Sequence, residues 1–287
     1  VAAPTKADNS AKYRKCIKEL LTAIEKKNYS NADSLFTPDG AEIFKKLLKY
    51  GNARIIGEPK YEFFQNGDEV IARGGQMAFS FENGARKTFV EDVVFTFNSD
   101  HKINNISFGL EQDAVQDILY KGSWDEKARL AMMQFLENYK TAYALERLDY
   151  IETIFDDDAV IITGKRVYKA PKNQPGQEQT LTAKGIETIK YNRMTKTDFL
   201  RHLKMCFEGK EFINIRFAEN RVRKMAVGGE LYAIEISQDY FSSNYGDKGY
   251  LFLMVDINDP KQPIIKVRTW QPEKHPYFGL YGPGDFD

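Results

Sequence analysis

The hydrophobic pattern of this chain changes its period twice in the same direction. Residues 11–27 repeat apolar side chains at helical spacing, with Leu20 and Ile24 on one face. Beyond Gly51 the spacing becomes two, which is typical of strands. After Gly122 the same order begins again. A chain that twice places helices before a run of strands is predicted to form two α+β domains, each with helices packed on one face of a curved, mainly antiparallel sheet.

The first domain is predicted to span residues 1–122. Its helical regions are residues 11–27 and 31–49, its strands are 54–56, 60–65, 69–82, 86–98 and 102–110, and a short helix follows at 111–121. Asn66-Gly67 and Asn83-Gly84 separate strand-like runs. Asn-Gly is a strong hairpin signal, because both residues must accept positive φ.

The second domain is predicted to span residues 123–287. Its helices are residues 124–146, 148–155 and 196–207, and its strands are 159–163, 211–217, 230–242, 249–256 and 264–271. Asp156-Asp157-Asp158 is predicted to form the turn into the first of these strands. The polar stretch 165–193 is predicted to be either a lid or a flexible insertion.

Charge excludes one class of function in each domain. The chain has 41 basic and 41 acidic residues, which divide into 17 and 17 in residues 1–122 and therefore 24 and 24 in the remainder. Neither domain offers the excess of Lys and Arg that nucleic-acid binding requires, so we expect no nucleic-acid partner. No apolar run approaches the 20 or so residues of a membrane-spanning helix.

Residues 135–161 carry a resemblance to a known family. Phe135-Leu-Glu-Asn-Tyr-Lys-Thr-Ala-Tyr-Ala, followed by Asp149-Tyr-Ile-Glu-Thr-Ile-Phe-Asp-Asp-Asp-Ala-Val-Ile, resembles the opening of the nuclear transport factor 2-like superfamily. That cone-shaped fold is shared with polyketide cyclases and ketosteroid isomerases. The resemblance covers residues 124–271, and residues 11–122 resemble a shorter, more divergent copy. It implies a pocket between the concave sheet face and the long helix.

The whole sequence also resembles envelope proteins of Gram-negative anaerobes. This resemblance implies export, and hence a periplasmic, cell-surface or secreted location. The chain begins at Val1 without a visible signal peptide.

Few residues are candidates for catalysis or metal binding. The histidines, His101, His202 and His275, show no metal-ligand spacing and are predicted to be structural or exposed. Cys16 and Cys206 are predicted to pack on helices rather than to bind zinc. No phosphate loop, nucleophile elbow or dinucleotide-binding glycine pattern is present, so we expect no cofactor and no metal.

Strand alternation suggests a ligand-binding face in the second domain. The alternation predicts that Arg216, Glu235, Arg268 and Trp270 share one sheet face, opposite an apolar face. This face is either a solvated surface with cross-strand ion pairs or a polar pocket. In the second case Arg268 would bind an anion bidentately, with Trp270 as an apolar wall.

The hairpin near residue 244 is a second candidate. Tyr240 and Tyr245 flank turn residues there and are predicted either to be exposed or to form a recognition edge at the mouth of the cone. On either interpretation the hairpin lies at the periphery of the fold.

Three hypotheses of function follow. The first is a non-catalytic envelope module that binds a small molecule, a glycan or a protein. The second is an isomerase, dehydratase or cyclase with an Asp, Glu, His or Tyr in the second-domain pocket, and an interior filled by Tyr, Phe and Met would contradict it. The third is a structural homo-oligomer, such as a homodimer paired through the sheet. For the first, we expect Arg268→Ala to weaken anion binding and to leave the melting temperature within a few degrees.

Overall fold

The computed structural model describes residues 4–81, 87–169 and 186–286. Within these ranges the α-helices are α1 (Ala11–Glu25), α2 (Pro38–Tyr50), α3 (Gln112–Leu119), α4 (Glu126–Ala144), α5 (Leu148–Ile154) and α6 (Lys196–Phe207). Sheet A contains β1 (Arg54–Ile56), β2 (Glu62–Asn66), β3 (Glu69–Phe81), β4 (Lys87–Phe97) and β5 (Ile103–Phe108). Sheet B contains β6 (Phe155–Lys169), β7 (Ile186–Met194), β8 (Ile213–Lys224), β9 (Leu231–Ser242), β10 (Gly246–Asp256) and β11 (Ile264–Gln271).

Sheet A is an antiparallel meander. Its strand order is β1-β3-β4-β5, and β2 also pairs with β3. The β2–β3 hairpin pairs Asn66 with Glu69, and Gly67 has a φ of 61°. The hairpin predicted at Asn66-Gly67 is therefore confirmed. The one predicted at Asn83-Gly84 lies outside the described residues.

Sheet B is mixed, with the order β7-β6-β11-β10-β9-β8. Only the β6–β11 pair is parallel. β6 and β7 form long antiparallel strands, so residues 165–169 and 186–193 of the predicted lid or insertion belong to the sheet. The remainder of that predicted segment lies outside the described residues.

Two helices begin at side-chain caps that the sequence signals. The Thr37 hydroxyl accepts a hydrogen bond from the Gly40 amide at 3.1 Å, with Pro38 in the first turn. The Thr195 hydroxyl accepts one from the Asp198 amide at 3.1 Å. Each cap satisfies an amide that lacks a partner within its helix.

The first half builds its core between α1, α2 and sheet A. Leu20 and Leu47 bring the apolar faces of the two helices against Phe79, Phe95 and Phe108 of the sheet. All five side chains are essentially inaccessible to solvent. Burial of this apolar surface is the main stabilising term for this half.

Helix α4 is packed between the two sheets, so it lacks the broad solvent-exposed face of an amphipathic surface helix. Leu130 and Met133 lie beside Val94 of sheet A. Leu136 and Tyr139 belong to the core formed with sheet B. Nearly every residue of the helix is buried. Because polar groups on such a helix are buried with it, they need partners.

The other face of sheet B is covered by the end of the chain. Phe286 stacks on Phe252 with ring centroids 5.8 Å apart. Met254 and Val267 complete this small apolar cluster. Residues 272–286 therefore occupy part of the face through which a sheet-mediated homodimer would form.

The predicted α+β architecture is confirmed. Helices α1 and α2 precede sheet A, helices α4 and α5 precede sheet B, and both sheets are mainly antiparallel. The domain limits stay a prediction, and Ile118 and Leu119 of α3 pack in the core of the second half. In the part of the chain that the structure describes, no helix combines the length and apolarity needed to cross a bilayer.

Candidate functional site

The predicted ligand-binding face is divided by a β-bulge. β10 pairs Val255 with Ile265 but Met254 with Val267, so Lys266 is an extra residue in β11. One extra residue reverses the alternation beyond it. Arg268 therefore lies on the helix-covered face of sheet B, and the prediction that it shares a face with Arg216 and Glu235 is wrong.

Arg216 and Glu235 lie on the outward face. The Arg216 side chain is 61% exposed, and its Nε donates to Glu111 Oε1 at 2.8 Å. Arg223 Nη2 donates to Glu235 Oε1 at 3.0 Å. These are surface ion pairs, which typically contribute under about 1 kcal/mol each.

Arg268 and Trp270 face the helices. Arg268 is 8% exposed, and its Nε donates to the Tyr139 hydroxyl at 3.2 Å. Its guanidinium carbon lies 4.8 Å from the centroid of the Phe199 ring. Trp270 packs against the same core. An anion-binding role for Arg268 stays a prediction, since its guanidinium already contacts a hydroxyl and an aromatic ring.

Aromatic side chains fill the space around Arg268. Tyr139 and Tyr143 have ring centroids 5.1 Å apart and share a hydroxyl contact at 3.2 Å. Burial raises the pKa of Tyr143 well above its usual value, so its phenol stays neutral. Phe207 meets Tyr143 edge to face, and Phe217 stacks near Tyr139. The space beside Arg268 is therefore occupied by aromatic rings and phenol hydroxyls.

Tyr240 and Tyr245 lie at the rim of this core. Their ring centroids are 6.1 Å apart, and the Tyr245 hydroxyl donates to Asp247 Oδ2 at 2.9 Å. Burial, with a further contribution from Asp247, raises the pKa of Tyr245 to about 12. A recognition role for this edge stays a prediction.

The three aspartates do not form a separate turn before β6, because the strand already begins at Phe155. In the pairing with β11, Phe155 opposes Ile265 and Val160 opposes Val267, so the aspartates occupy a bulge. The Asp158 amide donates to Asp156 Oδ1 at 2.9 Å, which is the local bonding expected of such residues. Among the described residues, no cluster of three or more His, Cys, Asp or Glu could hold a metal ion.

Buried ion pairs join α4 to sheet A. The Glu137 carboxylate accepts from both terminal nitrogens of Arg73, at 2.5 and 2.7 Å, and from the Leu110 amide at 2.8 Å. The exposed fraction of the Glu137 side chain is 2%. Such a bidentate arrangement gives directional as well as electrostatic complementarity.

A second buried cluster lies about one helical turn further along α4. Lys140 Nζ donates to Glu91 Oε2 at 2.8 Å, and Asn214 Nδ2 donates to Glu91 Oε1 at 2.8 Å. Asn214 Nδ2 also donates to the Tyr50 hydroxyl at 3.0 Å. These contacts connect α2, sheet A, α4 and sheet B, and thus fix the relative position of the two sheets.

A cleft of about 820 Å³ opens beside this interface. One wall is the β2–β3 hairpin, residues 66–69, and the opposite wall is the loop 259–263 between β10 and β11. Tyr150 and Thr153 of α5 line its end. The floor is a stripe of α4 at helical spacing, formed by Lys127, Ala131, Gln134 and Asn138. We call this cavity the interdomain cleft.

Several polar groups of the interdomain cleft are held in place. Asn105 Nδ2 donates to Asn138 Oδ1 at 2.8 Å. Gln65 Nε2 donates to the carbonyls of Gly67 and Glu69, at 2.7 and 3.2 Å, which braces the hairpin. Burial raises the pKa of Glu69, and the neighbouring Gln134 amide acts in the opposite direction. The cleft is therefore a preformed polar site.

Sequence reasoning missed the interdomain cleft. Gln134 and Asn138 form a polar stripe on the predicted helix 124–146, and such a stripe ordinarily faces solvent. The spacing of Lys127, Gln134 and Asn138 was the available signal. This spacing could not show that segments of both sheets lie beside the stripe.

A second cavity, the outer groove, contains one predicted residue. It measures about 610 Å³ and runs between α3 and the outward face of sheet B, with Glu235 in its lining. Two of its acids are paired, since Arg216 pairs with Glu111 and Lys121 lies 3.6 Å from Asp117.

The two cysteines are expected to differ in reactivity. Burial raises the pKa of Cys16 to about 11; it also raises the pKa of Cys206, which is only half-buried, with its sulfur 3.5 Å from His202 Nε2. A thiol reagent at pH 8 should therefore modify Cys206 in the folded chain and Cys16 only after unfolding, because the thiolate is the nucleophile. Peptide mass mapping after timed labelling measures this order, and prior labelling of Cys16 would contradict the placement of α1.

The raised pKa of Cys16 predicts that the stability of the chain depends on pH. The contribution of the neutral Cys16 thiol to stability is complete below the ordinary thiol pKa of about 8.5. It is lost as the pH rises through about 11, where the folded-state thiol ionises. Urea unfolding of Cys16→Ala and the parent chain across this range should converge at high pH, and parallel curves would contradict the assignment.

Comparisons with known proteins give only distant structural likenesses. No family model matches it, and no curated protein matches it. It is similar to an NTF-2 like protein of unknown function from Shewanella oneidensis, with 13% identity, 49% of this chain and 95% of that chain covered, and a TM-score of 0.32. It is also similar to ActVI-ORFA from Streptomyces coelicolor, with 8% identity, 50% of this chain and 94% of that chain covered, and a TM-score of 0.32. For Bd1075 from Bdellovibrio bacteriovorus the identity is 10%, the covered shares are 76% of this chain and 94% of that chain, and the TM-score is 0.37. No ligand, activity or partner of this chain follows from likenesses at this level.

Proposed function

We propose that this chain is a non-catalytic binding protein whose ligand site is the interdomain cleft. The observation that carries the proposal is a cavity of about 820 Å³ lined by both halves of the chain. Ligand sites typically measure about 300–1,000 Å³ and occur preferentially where domains meet. The buried pairs of Glu137 and Glu91 hold the walls in position, which lowers the ordering cost of binding.

The chemistry of the interior supports binding rather than catalysis. Among the described residues, the buried carboxylates are Glu91 and Glu137, and both are ion-paired between the sheets. The core beside Arg268 consists of Tyr and Phe rings. General acid–base catalysis needs a positioned group that is free to exchange a proton with the substrate.

We predict that Thr153→Trp blocks the interdomain cleft. Thr153 is exposed at its end, so an indole can replace the hydroxyl without disturbing the core. The control is Glu152→Trp, which places the same indole on the neighbouring exposed residue of α5 outside the cleft. Both variants should fold with a melting temperature close to that of the parent chain.

The measurement is a thermal-shift screen of oligosaccharides, nucleosides, dipeptides and organic acids. A ligand at about 100 times its Kd stabilises by about 2.7 kcal/mol, which corresponds to several degrees for a chain of this size. The parent chain and Glu152→Trp should show the shift, and Thr153→Trp should lose it. An equal shift in both variants would place the ligand elsewhere and refute the site.

Location and assembly belong to the same proposal. The resemblance to envelope proteins supports action in the periplasm or at the cell surface, which fractionation of the native host tests. The cover that residues 272–286 provide on sheet B supports a monomer as the binding unit. Sedimentation equilibrium tests this, and a concentration-independent dimer would favour the structural homo-oligomer instead.

A further inference from the structure

The lining of the interdomain cleft indicates which class of molecule it accepts. Among the uncharged polar groups of the lining, carboxamides predominate: Asn66, Gln134, Asn138 and Gln262, beside Thr153 and Tyr150. A carboxamide both donates and accepts hydrogen bonds, and so does a hydroxyl. Groups of this kind match a ligand whose own surface alternates donors and acceptors, as the hydroxyls of a sugar ring do.

The net formal charge of the cleft lining is small, because acidic and basic side chains are mixed in it. Asp68, Glu69 and Asp259 lie close to Lys127 and Lys261. Burial raises the pKa of Glu69, while Lys261 acts in the opposite direction. A ligand of either net charge would meet a like charge as well as an opposite one, so the lining favours an uncharged ligand.

Apolar surface lies between these polar groups. Pro260 and Pro263 occur on one wall, and Ala131 lies in the floor between Lys127 and Gln134. Such surfaces suit the C–H faces of a saccharide ring, while the adjacent carboxamides reach its hydroxyls. The volume of about 820 Å³ exceeds what one small metabolite needs and fits a short chain of rings.

We propose that the interdomain cleft binds an uncharged, polyhydroxylated molecule, with a short neutral oligosaccharide as the fitting class. This inference rests on the proposed function, since it names the ligand of the same site. Gln134 is the central recognition group. It lies in the floor, is half-buried and lines the same cavity as the Glu69 carboxylate.

Isothermal titration calorimetry with neutral and charged trisaccharides tests the inference. The neutral probes are maltotriose, cellotriose and chitotriose, and the charged probe is trigalacturonate. The variant is Gln134→Leu, which keeps the side-chain volume and removes the carboxamide. The matched control is Gln116→Leu, the same change at an exposed site on α3 that does not line the cleft.

We expect at least one neutral trisaccharide to bind the parent chain and Gln116→Leu equally. Gln134→Leu should bind it about tenfold more weakly, the loss expected when a hydrogen bond is removed and its partner is left unsatisfied. Binding of trigalacturonate alone, or of none of the four probes, would overturn the inference. The Thr153→Trp screen is independent of ligand class, so a cleft-dependent shift there would leave the proposed function standing.

Discussion

Glu137→Ala is expected to lower the free energy of unfolding by about 4 kcal/mol, because removal of one partner leaves a buried charge uncompensated. The charge left behind is the Arg73 guanidinium, whose side chain is only 16% exposed. The Leu110 amide loses its acceptor in the same substitution. The effect falls on the contact between α4 and sheet A, so it should also loosen the interdomain cleft.

Urea denaturation followed by circular dichroism measures the effect. The first control is the surface variant Glu235→Ala, which breaks the exposed pair with Arg223 and should cost under about 1 kcal/mol. The second is the double variant Arg73→Met/Glu137→Leu, which removes both charges and should recover much of the lost stability. A loss below 1 kcal/mol for Glu137→Ala would mean that water reaches Arg73 and that the two sheets are not fixed together.

Arg268→Ala is expected to destabilise the chain by about 3 kcal/mol, within the range for large-to-small changes at buried sites. This differs from the expectation based on alternation alone, under which the melting temperature would hardly change. The structure places Arg268 against Tyr139 and Phe199, so the substitution opens a cavity and leaves a buried hydroxyl without its donor.

Thermal and urea unfolding of matched variants check this. Arg216→Ala removes the same side chain from an exposed site and should change stability by less than about 1 kcal/mol. Arg268→Lys should fall between the parent chain and Arg268→Ala, because it keeps a charge and a donor but loses the planar contact with the Phe199 ring. Equal stability of Arg268→Ala and Arg216→Ala would refute the buried placement.

Local patterns predicted most of the secondary structure. The Asn66-Gly67 turn and the change of period at Gly51 each depend on residues a few positions apart. Such short-range effects can be read along the chain without knowledge of the fold. They also sufficed for the α+β class and the repeated order of helices and strands.

The site required information that local patterns do not hold. An amphipathic helix and a helix enclosed by two sheets can share one pattern, and only the packing of sheet A against Leu130 and Met133 distinguished them for α4. Likewise, Gln134 and Asn138 line a cleft because two segments distant in sequence, residues 66–69 and 259–263, lie beside them.

The sequence by itself therefore determined most elements of this protein, with β7 as an exception, and the balance of charge in each half. The tertiary structure decided on which face of a sheet or helix the candidate functional side chains lie. A single extra residue, Lys266, reversed the alternation of β11 and moved Arg268 from the predicted polar face into the core. The physical reason is that register depends on a pairing partner elsewhere in the chain, and a one-residue bulge leaves no mark on the hydrophobic pattern of its own strand.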